Sequence, residues 1–229
     1  IIIKFINPPI IQKISFINYD FYQKVFNRGE VKDVTIVDID EKSIAKVGQF
    51  PWRRDAYSKI LKNLNKHNPK AIAFDIVFSE EDKQNPKDLL LQLQKESNQL
   101  IDVQVTDTNK IFVDSIKASK IILPILGEPN DNFVKNESKP KARIIAKGEN
   151  PKNFIYKFKN KIISLEEISN AARGIGSISL VPNIDGVIRN VPVLYNIDNR
   201  IWPSIALEAV RVASGQKNLL VKSNKNGIE

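Results

Sequence analysis

The 229-residue sequence has no cysteine, no methionine and a single histidine, His67. Without cysteine there is no disulfide, no thiolate metal site and no thiol nucleophile. With one histidine and no cysteine a zinc centre lacks its usual donors. A Ser-His-Asp triad would have to use His67, which stands before Asn68-Pro69 at an expected helix end, without a nucleophile elbow. Long apolar runs are missing too. The most apolar stretch, at the N-terminus, is broken by Lys4, Asn7, Pro8 and Pro9, so nothing reaches the ~20 residues of a spanning helix. It also lacks the small-residue cleavage site of a signal peptide. Gly174-Ile175-Gly176 lacks the rest of a dinucleotide fingerprint and precedes a strand instead of following one.

Acid is in shorter supply than base. Asp and Glu total 26 against 35 Lys and Arg, a formal charge of +9. The lysines are scattered and not interleaved with aromatics, so the expectation is a solvated basic surface with no nucleic-acid partner. A mild basic excess also suits a membrane surface. Hydrophobic residues at 42% and charged residues at 27% are the proportions of a folded globular chain. The length suits one medium α/β domain with an appendage, or two small domains.

Periodicity then divides the chain. After Pro8-Pro9, Ile14, Ile17, Phe21 and Val25 recur at helical spacing, predicting an amphipathic helix over 10–27 whose stripe packs on the domain or on a second copy. The β-branched run Val34–Ile39 predicts a buried strand. A short helical turn from Glu41 to Val47 closes at Gly48. Tyr57, Ile60, Leu61 and Leu64 predict a helix ending near His67. Residues 71–78 predict a second buried strand, making a βαβ unit with parallel strands. Further elements are expected at 86–101 (helix), 120–126 (strand), and 165–172 (a helix capped by Ser164 in a capping box with Glu167). Residues 127–160 read as a long loop or irregular insertion. Two antiparallel strands are expected around Pro182–Gly186, where Asp-Gly is a hairpin signal. A last helix opens at Trp202-Pro203 with Trp202, Ile205, Ala206, Ala209, Val210 and Ala213 on its apolar face, and the tail 216–229 reads as polar, with 223–229 frayed. The fold class is therefore α/β: a mixed, partly parallel central sheet flanked by helices, with an N-terminal amphipathic helix.

Acids gather near the strand ends. Asp38 and Asp40 close the first predicted strand, Asp75 lies in the second, and Glu80, Glu81 and Asp82 follow it. Ligand crevices in α/β sheets lie at that edge, and convergent carboxylates suit Mg²⁺ or Ca²⁺. The plainer reading is structural and is preferred. Asp40 N-caps the helix from Glu41, while Asp38 and Asp75 are buried and paired with Arg53 or Arg54. An apolar run followed by Asp-x-Asp also resembles the first motif of haloacid-dehalogenase-type phosphotransferases, which makes a Mg²⁺-dependent phosphohydrolase using Asp38 and Asp40 the alternative. The other parts of that family's site are missing from the sequence. Trp52 and Trp202 are simplest as core anchors, or as the walls of a ligand pocket.

Taken in order, Asp38-Ile39-Asp40-Glu41-Lys42-Ser43, Gly48, Pro51-Trp52-Arg53-Arg54, Ala71–Phe78, Gly176, Asp185-Gly186-Val187-Ile188-Arg189 and Pro203–Ala206 resemble the CHASE type 2 domain, one of the cyclase- and histidine-kinase-associated sensory extracellular domains. The resemblance runs from about residue 20 to 214. It implies a bacterial extracytoplasmic (periplasmic or extracellular) sensor, held by membrane helices and joined to a cytoplasmic cyclase or kinase output domain. It implies a non-enzymatic fragment, with no cofactor and no resident metal. The expected organisation is a membrane-near helical segment over 1–29, a sensor domain over 30–215 with 127–160 as its insertion, and the tail. The expected ligand-binding or switch residues are Asp38, Asp40, Ser43, Trp52, Arg53, Arg54, Asp75, Asp185 and Arg189. The expected partners are a small molecule, ion or periplasmic protein, the receptor's own membrane and output parts, and a second copy.

Overall fold

The computed structural model describes residues 9–26, 29, 33–98, 103–130 and 137–228. Two compact units form: one from the residues up to Phe50 together with Pro182–Val187, the other from Pro51–Val181 together with Ile188 onward. In the first unit α1 spans Pro9–Val25 and α2 spans Glu41–Val47. Helix α1 is the predicted amphipathic helix, and Ile14, Ile17, Phe21 and Val25 are all exposed. The predicted buried strand at 34–39 does not form. The segment has no regular structure and pairs with no sheet among the described residues, and Ile36 is 88% exposed. Its β-branched run carries strand propensity, but propensity needs a neighbour to pair with.

The second unit holds α3 (Arg54–Asn65), β1 (Ile72–Ala73), α4 (Pro86–Ser97), α5 (Thr108–Lys117), β2 (Ile121–Glu128), β3 (Arg143–Gly148), β4 (Tyr156–Phe158), β5 (Asn160–Ile163), α6 (Glu166–Ala171), β6 (Gly174–Ser177), β7 (Leu194–Ile197), β8 (Arg200–Pro203), α7 (Ile205–Ala213), β9 (Asn218–Asn224) and β10 (Gly227–Ile228). The mixed α/β class is as expected. The central strand is β2, whose first seven residues include only buried positions and one half-buried one. It pairs in parallel with β1 (Ile72 beside Ile121) and with β6 (Ile122 beside Gly174), and antiparallel with β5 (Ile125 beside Ile163). Parallel strands need crossover connections, and α4 and α5 supply the one from β1 to β2.

Several expectations are corrected. The second strand is only Ile72–Ala73; residues 74–79 run on without ladder pairing. The parallel partner of β1 is β2, so the predicted βαβ unit is not the one that forms. The expected loop at 127–160 carries β3, β4 and a 3₁₀ turn at Pro151–Asn153. The tail is a strand: β9 lies in parallel on β3 and turns back into β10. Asn183–Val187 does form a tight turn, with the amide N–H of Gly186 donating to the Asn183 carbonyl at 2.9 Å. The strands expected to flank it are paired elsewhere, β6 with β2, and β7 with β4 and β8. Helix α5 was not anticipated, although Asp107 caps it and Phe112, Val113 and Ile116 form a buried face at helical spacing.

Two apolar clusters lie in this unit. Ile125, Ile163, Ile175, Tyr195, Ile197 and Trp202 fill the space between the β2 sheet and the β4-β7-β8 sheet. Trp202 is a core anchor, but on strand β8 and not in a helix. The second cluster is aromatic: Tyr57, Phe74, Phe78 and Phe112 meet edge to face or tilted, with Phe78 and Phe112 centroids 4.9 Å apart, and Trp52 leans on Tyr57.

Candidate functional site

The aromatic cluster carries a charge. Arg54 is buried, and its guanidinium lies over the Phe78 ring at 4.4 Å and at 6.0 Å from that of Phe112. Its Nη2 donates to the Glu80 carbonyl at 2.7 Å. Burial holds its pKa below the usual arginine value, with Asp82 the leading opposing charge. An arginine over aromatic rings keeps its charge with fewer hydrogen bonds than water would supply, because the ring faces carry negative quadrupole density. Here Nε finds no partner among the described residues.

Beside it, the starts of α3 and α5 converge on one buried carboxylate. The Arg54 amide at the start of α3 donates to Asp82 Oδ2 at 2.9 Å, and Thr108 Oγ1 at the start of α5 donates to the same oxygen at 3.2 Å. The Gln84 amide donates to Asp82 Oδ1 at 3.0 Å. Asn85, the N-cap residue of α4, accepts from the Thr108 amide on Oδ1 at 3.0 Å and donates from Nδ2 to Asp88 at 2.7 Å. The first amides of a helix have no intrahelical acceptor, and the helix dipole favours negative charge there. Asp82 accepts a first amide of α3 and Asn85 a first amide of α5, and the Asp82 carboxylate also meets the dipole of α3. At the rim Lys87 pairs with Asp107 at 2.9 Å, and that hydrogen bond holds the Asp107 carboxyl below the usual carboxylate range.

The residues expected to form the site are placed as follows. Asp40 caps α2: Ser43 donates to Asp40 Oδ1 from its amide at 2.9 Å and its hydroxyl at 2.7 Å, which lowers the Asp40 pKa. Asp185 accepts from the Val187 amide and shapes the turn. Both belong to the first unit, as does the exposed Asp38. In the second unit Trp52 and Arg54 join the aromatic hub, Arg53 makes a two-armed bond to Asp55 at 2.7 and 2.9 Å, Asp75 is exposed and Arg189 is half-buried. Asp38 and Asp75 are thus not buried partners of the arginine pair: Arg53 forms an exposed pair with Asp55, and Asp82 accepts from the Arg54 amide. Asp40 is held by Ser43 in its capping role, and among the described residues no strand presents Asp38 at a sheet edge. Among the described residues no group of three or more His, Cys, Asp or Glu could hold a metal ion. Sequence reasoning missed Asp82, Asn85 and Thr108 as members of one cluster. Their signal was faint: an Asp-x-x-Asn before Pro86, and Asp107-Thr108 before an apolar helical face.

A second buried polar site ties α7 to β6. Glu208, fully buried, accepts from Arg211 at 2.7 Å on both oxygens and from the Ile175 amide at 3.2 Å. Arg211 also donates to the Arg173 and Gln216 carbonyls. Of the face of this last helix expected to be buried, Trp202 is buried on β8, Ile205, Ala209 and Ala213 are half-buried, and Ala206 and Val210 are exposed. Gly174 and Gly176 permit this approach: a Cβ on Gly174 would meet Glu208 Oε1 at 2.8 Å, and one on Gly176 would meet Ile205 Cα at 2.5 Å.

The family model described as the CHASE2 domain matches residues 1–227. No curated protein and no solved structure matches the chain.

Proposed function

The chain belongs to the CHASE2 domain family, the sensory domains of signal-transduction receptors, and from that premise we propose that it is the extracytoplasmic ligand-sensing module of a membrane-bound receptor with a cytoplasmic cyclase or kinase output. The observation that carries this reading is the family match along nearly the whole chain. A site built for recognition and not for catalysis supports it. The Arg54–Asp82 hub is charged, buried and shared by α3 and α5, and its one hydroxyl, on Thr108, is spent on Asp82 and Asn85. A ligand that displaces one of these helices would alter the capping of the other, so differential binding could shift two packings of the unit. Asp38, Asp40, Ser43, Trp52, Arg53, Arg54, Asp75, Asp185 and Arg189 remain the candidates for ligand contact or switching, with Arg54 the one that the hub singles out. Helix α1, exposing Ile14, Ile17, Phe21 and Val25, is the coupling element in this reading, packed against a second copy.

Two measurements test it. The coding sequence on both sides of this chain should encode membrane helices and an output domain; a gene with neither would refute the proposal. A thermal-shift screen of small molecules and ions should find a ligand that stabilises the wild type, by about 2.7 kcal/mol at a hundredfold excess over Kd, and that stabilises Arg54→Met less. Equal stabilisation of both proteins would remove the hub from the mechanism.

A further inference from the structure

The sheet formed by β3, β9 and β10 has an outer face with a composition unlike the rest of the chain. In the parallel register Arg143 lies beside Asn218, Ile145 beside Leu220 and Lys147 beside Lys222. All six are exposed and, by strand alternation, share one face; on the alternate positions Val221 and Ser223 are buried, Ile144 and Leu219 half-buried, and Ala146 and Gly148 exposed. The three strands contain no Asp or Glu, in a chain with 26 of them. Like charges on adjacent strands repel and weaken pairing, yet Lys147 and Lys222 are neighbours with no acid between them. Beside them Ile145 and Leu220, 42% and 61% exposed, form an aliphatic pair. No aromatic ring is present for stacking on bases.

We propose that this face docks on a lipid bilayer bearing anionic headgroups, with Arg143, Lys147 and Lys222 on the headgroups and Ile145 and Leu220 at the acyl boundary. Charge complementarity selects the occupant. An anionic surface relieves the Lys147–Lys222 repulsion, and each cation near it strengthens binding by about fivefold. A shallow aliphatic pair adds to attachment at an interface but would not drive insertion. The inference stands apart from the ligand-sensing role and does not depend on it.

The test uses the full chain and sedimentation with vesicles of phosphatidylcholine, with or without phosphatidylglycerol. Binding is expected only to the phosphatidylglycerol vesicles. It should fall about thirtyfold in K147A/K222A, which removes two cations from the face. K59A/K62A, with the same change in net charge on α3, should bind as the wild type does. Thermal unfolding of K147A/K222A should be no lower than wild type, since a repulsion has been removed. Failure of the wild type to bind anionic vesicles would overturn the proposal, as would equal losses in the two double variants or equal binding to neutral vesicles.

Discussion

At the scale of single residues, the buried charges carry the sharpest consequences. Arg54 touches rings, a carbonyl and no other cation, so its replacement removes a cation–π contact and a hydrogen bond while leaving its amide on Asp82. Arg54→Ala is expected to cost about 2–4 kcal/mol in urea unfolding, and Arg54→Lys most of that, because an ammonium cannot lie flat on the ring and reach Glu80 at once. Asp82→Ala should cost about 2–3 kcal/mol by leaving the Arg54 and Gln84 amides without their acceptor. Tyr195 gives a pH signature. Its hydroxyl donates to the Ser179 carbonyl at 2.6 Å, and burial pushes its pKa up to about 12. The folded state therefore holds the phenolic proton more tightly than the unfolded chain does. The resulting stability is fully present below the ordinary value of 10.0 and is lost as pH rises from there towards about 12. Tyr195→Phe should flatten the alkaline decline of unfolding free energy over that window. Asp107 has the opposite sign: its lowered pKa stabilises above the ordinary 3.8, and this is lost as the solution is acidified below it. Lys87→Ala should shrink that acid-side loss.

At the scale of elements, close approach decides what the sequence alone leaves open. A Cβ on Gly176 would strike the backbone of α7 at 2.5 Å, whereas one on Gly174 strikes a side chain that is fixed by Arg211. Gly176→Ala should therefore destabilise by more than about 3 kcal/mol and exceed Gly174→Ala, measured by denaturant titration. Gly174 was legible only as a fragment of a nucleotide motif that did not fit, and Gly176 also as one member of the family pattern; their packing role depends on a helix that arrives about 30 residues later. Strongly periodic segments were readable: α1, α3, α4 and the apolar strand β2 lie where their spacing puts them. Short strands were not. Residues 34–39 and 71–78 have strand composition, but one finds no partner among the described residues and the other keeps only Ile72–Ala73 in the ladder. Ser164 likewise leaves the capping box its sequence spells and accepts instead from the Phe78 amide.

At the scale of the whole molecule, the family was visible in the sequence because its motifs are local strings: Asp40 to Ser43, Pro51 to Arg54, Asp185 to Arg189. The capping role of Asp40 was visible there as well. Arg54 as a ring-stacked cation was not, because Asp82, Asn85 and Thr108 complete the hub through contacts more than twenty residues apart in the chain. The β3–β9 pairing has one more consequence. Arg143 must wait for Asn218 before its strand is matched, and this is a non-local parallel closure of the kind that forms slowly. During synthesis β3 therefore spends an interval as an open template, and a nascent chain halted short of residue 218 would display Ile144 and Ile145 on an unsatisfied edge, prone to self-association until β9 emerges.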